Sequence, residues 1–176
     1  TQGYSSAASD VYKRQLEVMA NGSLNYTVKG ICIGMKVTWN YTPPTNGGDT
    51  FTSIKKGSKA TLKIVQDEKN GFVKELYIQK EPDIDNRTFE AQLQKTVEQL
   101  QITYPFLSVK NKKNGTYLID IPQEKRLGHE EHFSKVAKAF LHYVDNKDMP
   151  EWENENTLAK YYITTTAVEM AKIGNK

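Results

Sequence analysis

The sequence predicts an α+β fold: an open, mainly antiparallel β-sheet with helices packed on one face. Three observations carry this. Apolar residues alternate strictly from Ile31 to Tyr41. Turn signals recur at short intervals through the first half. Helical spacing appears only after Pro82 and takes over beyond Gly128.

The elements follow in order. Leu16 to Met19 reads as the end of a strand, Ala20-Asn21-Gly22 as a turn, and Leu24 to Val28 as the start of a second strand. Ile31, Ile33, Met35, Val37, Trp39 and Tyr41 then occupy odd positions, and Cys32, Gly34, Lys36, Thr38 and Asn40 fill the even ones. That period predicts a strand with one buried face and one small, wetter face, because a helix would scatter those side chains around its circumference. Trp39 falls on the buried side and is expected in the core. Gly30 and Gly34 are expected inside this extended stretch.

Thr42 to Asp49 (TPPTNGGD) breaks the pattern, since proline removes donors and glycine permits positive φ. Thr50 to Ile54 resumes extended structure. Lys55-Lys56-Gly57 turns, and Ala60, Leu62 and Ile64 alternate again. Asn70-Gly71 ends the next turn with a strong hairpin signal before Phe72 to Ile78. After Pro82, Phe89, Leu93, Val97 and Leu100 recur at three to four residues and predict an amphipathic helix ending before Pro105. Phe106 to Val109 and Tyr117 to Ile121 read as two strands joined at Asn114-Gly115. Phe133, Val136, Phe140 and Tyr143 or Val144 mark a helix face. Leu158, Tyr161 or Tyr162, Thr165 and Val168 mark another, with Asn154 or Asn156 as its expected cap. Pro150 separates the two helices, and Trp152 is expected to pack the turn between them while the helices cover the back of the sheet. The sum is about seven strands, a helix, two strands and two helices.

Composition narrows the function. At 176 residues the chain is most simply one domain. A net charge of +3 without a basic patch interleaved with aromatics excludes nucleic acid as the expected partner. No apolar run reaches the length of a membrane span, so no membrane partner is expected. The single cysteine, Cys32, excludes an internal disulfide and says little about compartment. Asn-x-Ser/Thr triplets start at Asn21, Asn25, Asn40, Asn86 and Asn114, and chance matches in an Asn- and Thr-rich sequence are the favoured reading. Residues 1–15 are set apart from the domain at 16–176. Ser5 to Gln15 (SSAASDVYKRQ) resembles the in-frame translation of a sequencing-library adapter, and a polar native tail is the alternative. On the first reading the native protein extends further upstream.

Two places carry candidate chemistry. His129, Glu130 and His132 form the densest ionisable cluster, and His129 and His132 share a helix face. Three readings stand for it: a metal site, a substrate or interface contact, and a helix start in which acidic residues favour the positive end of the dipole. H-E-E-H is one residue shorter than the zincin spacing and no third ligand declares itself, so no metal is assigned. The second place is Gly47-Gly48-Asp49-Thr50, where backbone amides can approach a ligand and Asp49 can accept from sugar hydroxyls. The plain alternative is an Asp that fixes its own turn. No dinucleotide fingerprint and no phosphate-binding loop occurs. This segment alone is therefore expected to bind no nicotinamide cofactor by that route.

The motifs together resemble a known family. These are Asn25-Tyr26-Thr27-Val28-Lys29-Gly30, the V-T-W-x-Y run at Val37 to Tyr41, the loop from Pro43 to Thr50 and the Gly57-x-Lys59-Ala60 turn. Leu76-Tyr77-Ile78 follows before Glu81-Pro82. Last come the G-H-E-E-H-F start at Gly128, the F-L-x-Y middle at Phe140, the P-x-W break at Pro150 and the N-x-L-A-K-Y-Y-x-T-T end at Asn156. From about Leu16 to Ile173 the chain resembles the C-terminal domain of oxidoreductases of the glucose-fructose oxidoreductase and inositol dehydrogenase (Gfo/Idh/MocA) family. The resemblance implies a two-domain protein. An N-terminal Rossmann domain would bind NAD or NADP and supply a catalytic Lys. The C-terminal domain would form part of the site for a sugar or polyol and make a homo-oligomer through the sheet. Phe51 stands where relatives tend to carry His after Gly-Asp-Thr, so no proton-transfer role passes to this loop. No catalytic residue is transferred. Asp49, Thr50, His129, Glu130 and His132 remain the substrate-contact candidates. The alternative function is a non-catalytic α+β module that binds a carbohydrate or another subunit.

Overall fold

A computed structural model describes residues 21–174. The expectations for residues 1–15 and for Leu16 to Met19 lie outside the described residues. The described chain forms β1 (Gly22–Val28), β2 (Ile31–Val37), β3 (Phe51–Lys56), β4 (Ala60–Gln66), β5 (Glu75–Lys80), α1 (Asn86–Gln101), β6 (Ser108–Asn111), β7 (Thr116–Asp120), α2 (His129–Asn146) and α3 (Glu151–Gly174). Every strand pairing is antiparallel. The fold class is α+β, as the strands-first order predicts. The described residues divide into two compact units, 21–42 with 137–174 and 43–136.

In the first unit β1 and β2 make a two-stranded hairpin, with Gly22 opposite Val37 and Val28 opposite Ile31. Lys29 and Gly30 turn it with φ of 49° and 79°, the positive values that a two-residue hairpin turn with the right twist requires. Gly30 therefore belongs to the turn, not to the strand interior. Directly opposite residues share a face, so Leu24, Tyr26, Val28, Ile31, Ile33, Met35 and Val37 line one apolar side. Among the described residues the expected strand to Tyr41 stops at Val37, which pairs with Gly22, the first residue of β1. The Trp39 amide instead donates to Asn21 Oδ1 at 2.7 Å. Trp39 itself is 75% exposed, so the expected core position is corrected. The side chains of Ile31 and Val37 are exposed as well, and the buried face expected for this strand is not closed by the described residues.

The second unit holds the core. Its five strands run in the order β3-β4-β5-β7-β6. Leu76 opposes Ile119 and Ile78 opposes Tyr117, which puts Ile64, Leu76, Ile78, Tyr117 and Ile119 on one face. Helix α1 lies on that face. Phe89 and Tyr117 meet with ring centroids 5.6 Å apart. Val97 is 2% exposed, and burying such a side chain stabilises by about 1.5–3 kcal/mol. Asp85 caps α1 by accepting from the Thr88 amide at 2.8 Å. That bond holds the Asp85 carboxyl below its ordinary range. Lys80 fixes the approach to the cap. It is buried, and its Nζ donates to the carbonyls of Glu81, Pro82 and Ile84.

Two turns differ from expectation. The β4–β5 hairpin exists, but its loop contains a short 3-10 turn, Glu68–Asn70. Asp67 accepts from the Lys69 amide, and Asn70 Oδ1 accepts from the Asp67 amide. Gly71 and Phe72 then take φ of 64° and 60°, so β5 cannot start at Phe72 and begins at Glu75. Helix α3 starts at Glu151, not at an Asn cap, because Pro150 fixes its own φ and its carbonyl accepts from the Glu153 amide at 3.0 Å. The α2–α3 turn is held by polar groups. His142 Nε2 lies 3.1 Å from Asp148 Oδ2, and the Asn146 amide group donates to the His142 carbonyl at 2.9 Å. Trp152 is half exposed and does not pack this turn as expected. The apolar stripes of both later helices, Phe133, Val136, Phe140, Leu158 and Tyr161 among them, are exposed. Helix α1 packs against the sheet at β6.

Candidate functional site

The residues singled out in the sequence fall in two places, the loop before β3 and the first turn of α2. Asp49 and Thr50 sit in the loop just before β3, both exposed. Asp49 does not fix its own turn with its side chain. Its main-chain carbonyl accepts from Gln66 Nε2 at 2.9 Å, which ties the loop to the end of β4. The preceding turn closes through the Gly47 amide and the Pro44 carbonyl at 2.7 Å. A Cβ on Gly47 would stand 2.8 Å from that carbonyl oxygen, so the turn requires glycine.

His129, Glu130 and His132 form the exposed first turn of α2. The His132 amide donates to the Gly128 carbonyl at 3.1 Å, and the His129 ring meets Phe133 edge-on at 4.7 Å. Glu130 and Glu131 lie where the helix dipole favours negative charge. No described group of three or more His, Cys, Asp and Glu side chains could hold a metal ion. Among the described residues no hydrogen bond or ion pair links this turn to Asp49 or Thr50.

A polar groove lies elsewhere, on the sheet face opposite α1. Val65 opposes Glu75, Lys63 opposes Tyr77, and Tyr77 opposes Leu118, so these side chains share that face. An open groove of about 390 Å³ is lined there by Val65, Asp67, Lys69, Asn70, Glu75, Tyr77 and Lys112. Its floor is half buried and its two lysines are exposed at the rim. Tyr77 donates its phenol proton to Glu75 Oε2 at 2.5 Å. That bond, then burial, then the negative charges of Glu75 and Asp67 push the phenol up to about 12. The strand supplies this pair for free, because residues two apart on a strand point the same way. Asp67 and Asn70 are locked by the capping bonds of the 3-10 turn, with Asn70 Nδ2 also donating to the Val65 carbonyl at 2.9 Å.

The Tyr77 phenol is not suited to proton transfer near neutral pH. A phenol held protonated to about 12 is a poor general base or acid at pH 7. Its oxygen still accepts hydrogen bonds, Glu75 keeps acceptor capacity, and the lysines offer positive charge. The sequence pattern Glu75-x-Tyr77 carried a readable signal for the pair. The arrival of Lys112 from beyond β6 carried none. On the α1 face a second polar cluster serves packing: Glu90 Oε1 accepts from Tyr117 at 2.9 Å and from Asn111 at 3.0 Å. Burial and then this bond raise the Tyr117 phenol.

Similar proteins give the wider context. The family model described as "Putative oxidoreductase C terminal domain" matches residues 3–172. The chain is also similar to the crystal structure of a "putative oxidoreductase" from Parabacteroides merdae ATCC 43184, with 38% sequence identity and a TM-score of 0.86. That similarity covers 95% of this chain and 38% of the other, so the chain spans well under half of that relative's length. No curated protein matches. Matched over nearly all its length, the chain belongs to the oxidoreductase C-terminal domain family.

Proposed function

We propose that the chain is the substrate-contacting and assembly domain of a Gfo/Idh/MocA-type oxidoreductase that transfers hydride between a sugar or polyol and NAD or NADP. The observation that carries this reading is the family match over residues 3–172, joined to a structural relative of which this chain covers 38%. The dinucleotide would be held by a partner domain, because residues 21–174 form antiparallel sheets without the strand–glycine loop–helix unit that cradles a pyrophosphate. This chain would contribute substrate contacts, with Asp49, Thr50, His129, Glu130 and His132 as the residues to test. It would also supply a sheet surface for homo-oligomer assembly.

Fluorescence titration with NADH and NADPH tests the division of labour. The 176-residue chain should leave the dinucleotide signal unchanged, and a longer protein that includes the upstream coding sequence should bind one of the two. Tight dinucleotide binding by the chain alone would overturn the reading. Assembly is tested by light scattering. Gly34 lies in β2 with a hypothetical Cβ only 2.9 Å from Asn25 Oδ1, the mobile end of a side chain. Gly34→Arg should dissociate an oligomer built on this face while leaving the hairpin paired. An unchanged mass would remove β2 from the interface.

A further inference from the structure

The groove on the open face of the five-stranded sheet combines two kinds of recognition. Its rim carries Lys69 and Lys112, one from the β4–β5 turn and one from beyond β6. Neither lysine forms an ion pair among the described residues. The neighbouring Lys110 differs, since it is spent on Asp120 at 2.6 Å. Its floor carries Glu75 and Tyr77, already joined by a short hydrogen bond that fixes both side chains. With its proton committed to Glu75, the Tyr77 oxygen faces a ligand as an acceptor, and the second Glu75 oxygen is an acceptor as well. Neighbouring acceptors fixed in place suit a donor-rich ligand, which in practice means adjacent hydroxyl groups. Two uncommitted ammoniums suit an anion. Val65 gives the floor its apolar patch, and about 390 Å³ falls at the small-ligand end of binding pockets.

We propose that this groove binds a small polyhydroxylated anion, a sugar acid or a sugar phosphate. The hydroxyls donate to Glu75 and Tyr77, and the anionic group sits between Lys69 and Lys112. The site needs no dinucleotide and involves none of the residues named above as substrate contacts. Its success or failure is therefore separate from that of the oxidoreductase reading.

Isothermal titration of the full chain with gluconate, glucose 6-phosphate, glucose and inorganic phosphate tests it. One or both sugar anions should bind, with glucose and phosphate each weaker by about tenfold or more. Gluconate alone would identify a carboxylate ligand, and glucose 6-phosphate alone a phosphorylated one. Added sodium chloride should weaken the binding, because the lysines are exposed. Lys69→Gln and Lys112→Gln should each cost about threefold, and the double variant about tenfold, with the melting temperature unmoved. Glucose binding as tightly as gluconate, no binding of either sugar anion, salt-independent binding, or a double variant that binds like the wild type would each overturn the proposal.

Discussion

Lys80→Met isolates one buried charge that organises the link between sheet and helix. Lys80 is 8% exposed and is the one described charged residue in the core. Its ammonium reaches three consecutive-turn carbonyls, at 3.0 Å to Glu81 and 3.3 Å to Pro82, with Ile84 as the third acceptor. Its own amide donates to the Gly115 carbonyl at 2.8 Å, so the residue also ties down the end of the central strand β5. Methionine keeps the length and most of the apolar stem and removes the donors. Hydrogen bonds from a charged donor are worth about 1.5–3 kcal/mol net. Three acceptors share one ammonium, and Pro82 is exposed enough for water to replace its bond, which places the loss near 2 kcal/mol. For a chain of this size that lowers the melting temperature by about 4–8 °C. Circular dichroism at the helix signal measures it, with Lys63→Met as the control. Lys63 lies on the open face and is exposed, so its loss should stay within about 0.5 kcal/mol. Hydrogen exchange should also quicken at Thr88, whose amide depends on the Asp85 cap just beyond the clasp. A Lys80→Met melting temperature equal to that of Lys63→Met would refute the reasoning.

Other outcomes follow from the same geometry. Spectrophotometric titration should show the Tyr77 phenol ionising near pH 12, recognised as the component that Glu75→Gln brings down towards 10. Because the folded value lies above the unfolded one, the stability this phenol contributes is intact below pH 10 and is lost as pH rises towards 12. A titration with no phenol above the ordinary range would remove the Glu75 bond from the account. Val97→Ala should destabilise by about 2 kcal/mol in urea, since the residue is 2% exposed on the buried side of α1, and an effect below ~0.5 kcal/mol would place the core elsewhere. Tyr117→Phe should cost about 1 kcal/mol by removing its bond to Glu90, with no change in the unfolding m-value. His132→Ala should change stability by less than ~0.5 kcal/mol, as its side chain is exposed, and a larger loss would show a hidden packing role.

The elements were legible wherever a periodic face meets a partner within a short stretch of chain. Phe89, Leu93 and Val97 gave α1 because their spacing matches the face that now covers Tyr117 and Ile119. The alternation from Ile31 gave β2 but ran on to Tyr41, because a pattern does not show where the partner strand begins. Gly22 ends the ladder, and Trp39 leaves it. The later helices were placed correctly, yet their caps were not. The sequence offered Asn154 and Asn156, and Pro150 started the helix earlier. Phe133, Val136 and Phe140, expected to face a sheet, are exposed among the described residues.

The site was less legible than the fold. The sequence drew attention to His129 and His132 because they are rare and clustered, but rarity does not bring a third group to them. The groove depends on strand order. Glu75 and Tyr77 come from β5, Asp67 and Lys69 from the preceding turn, and Lys112 from a hairpin that pairs two strands away. A register across three strands is set by long-range packing, which no local spacing encodes.

Steady-state turnover of a longer protein that joins this domain to a dinucleotide-binding domain shows whether it serves a sugar- or polyol-directed NAD(P)-dependent oxidoreductase, as proposed. Absorbance of the reduced nicotinamide should rise with NAD or NADP in the presence of a sugar or polyol, and the 176-residue chain alone should give no rise. A longer protein that binds neither dinucleotide, or that turns over no sugar or polyol with either, would contradict the account.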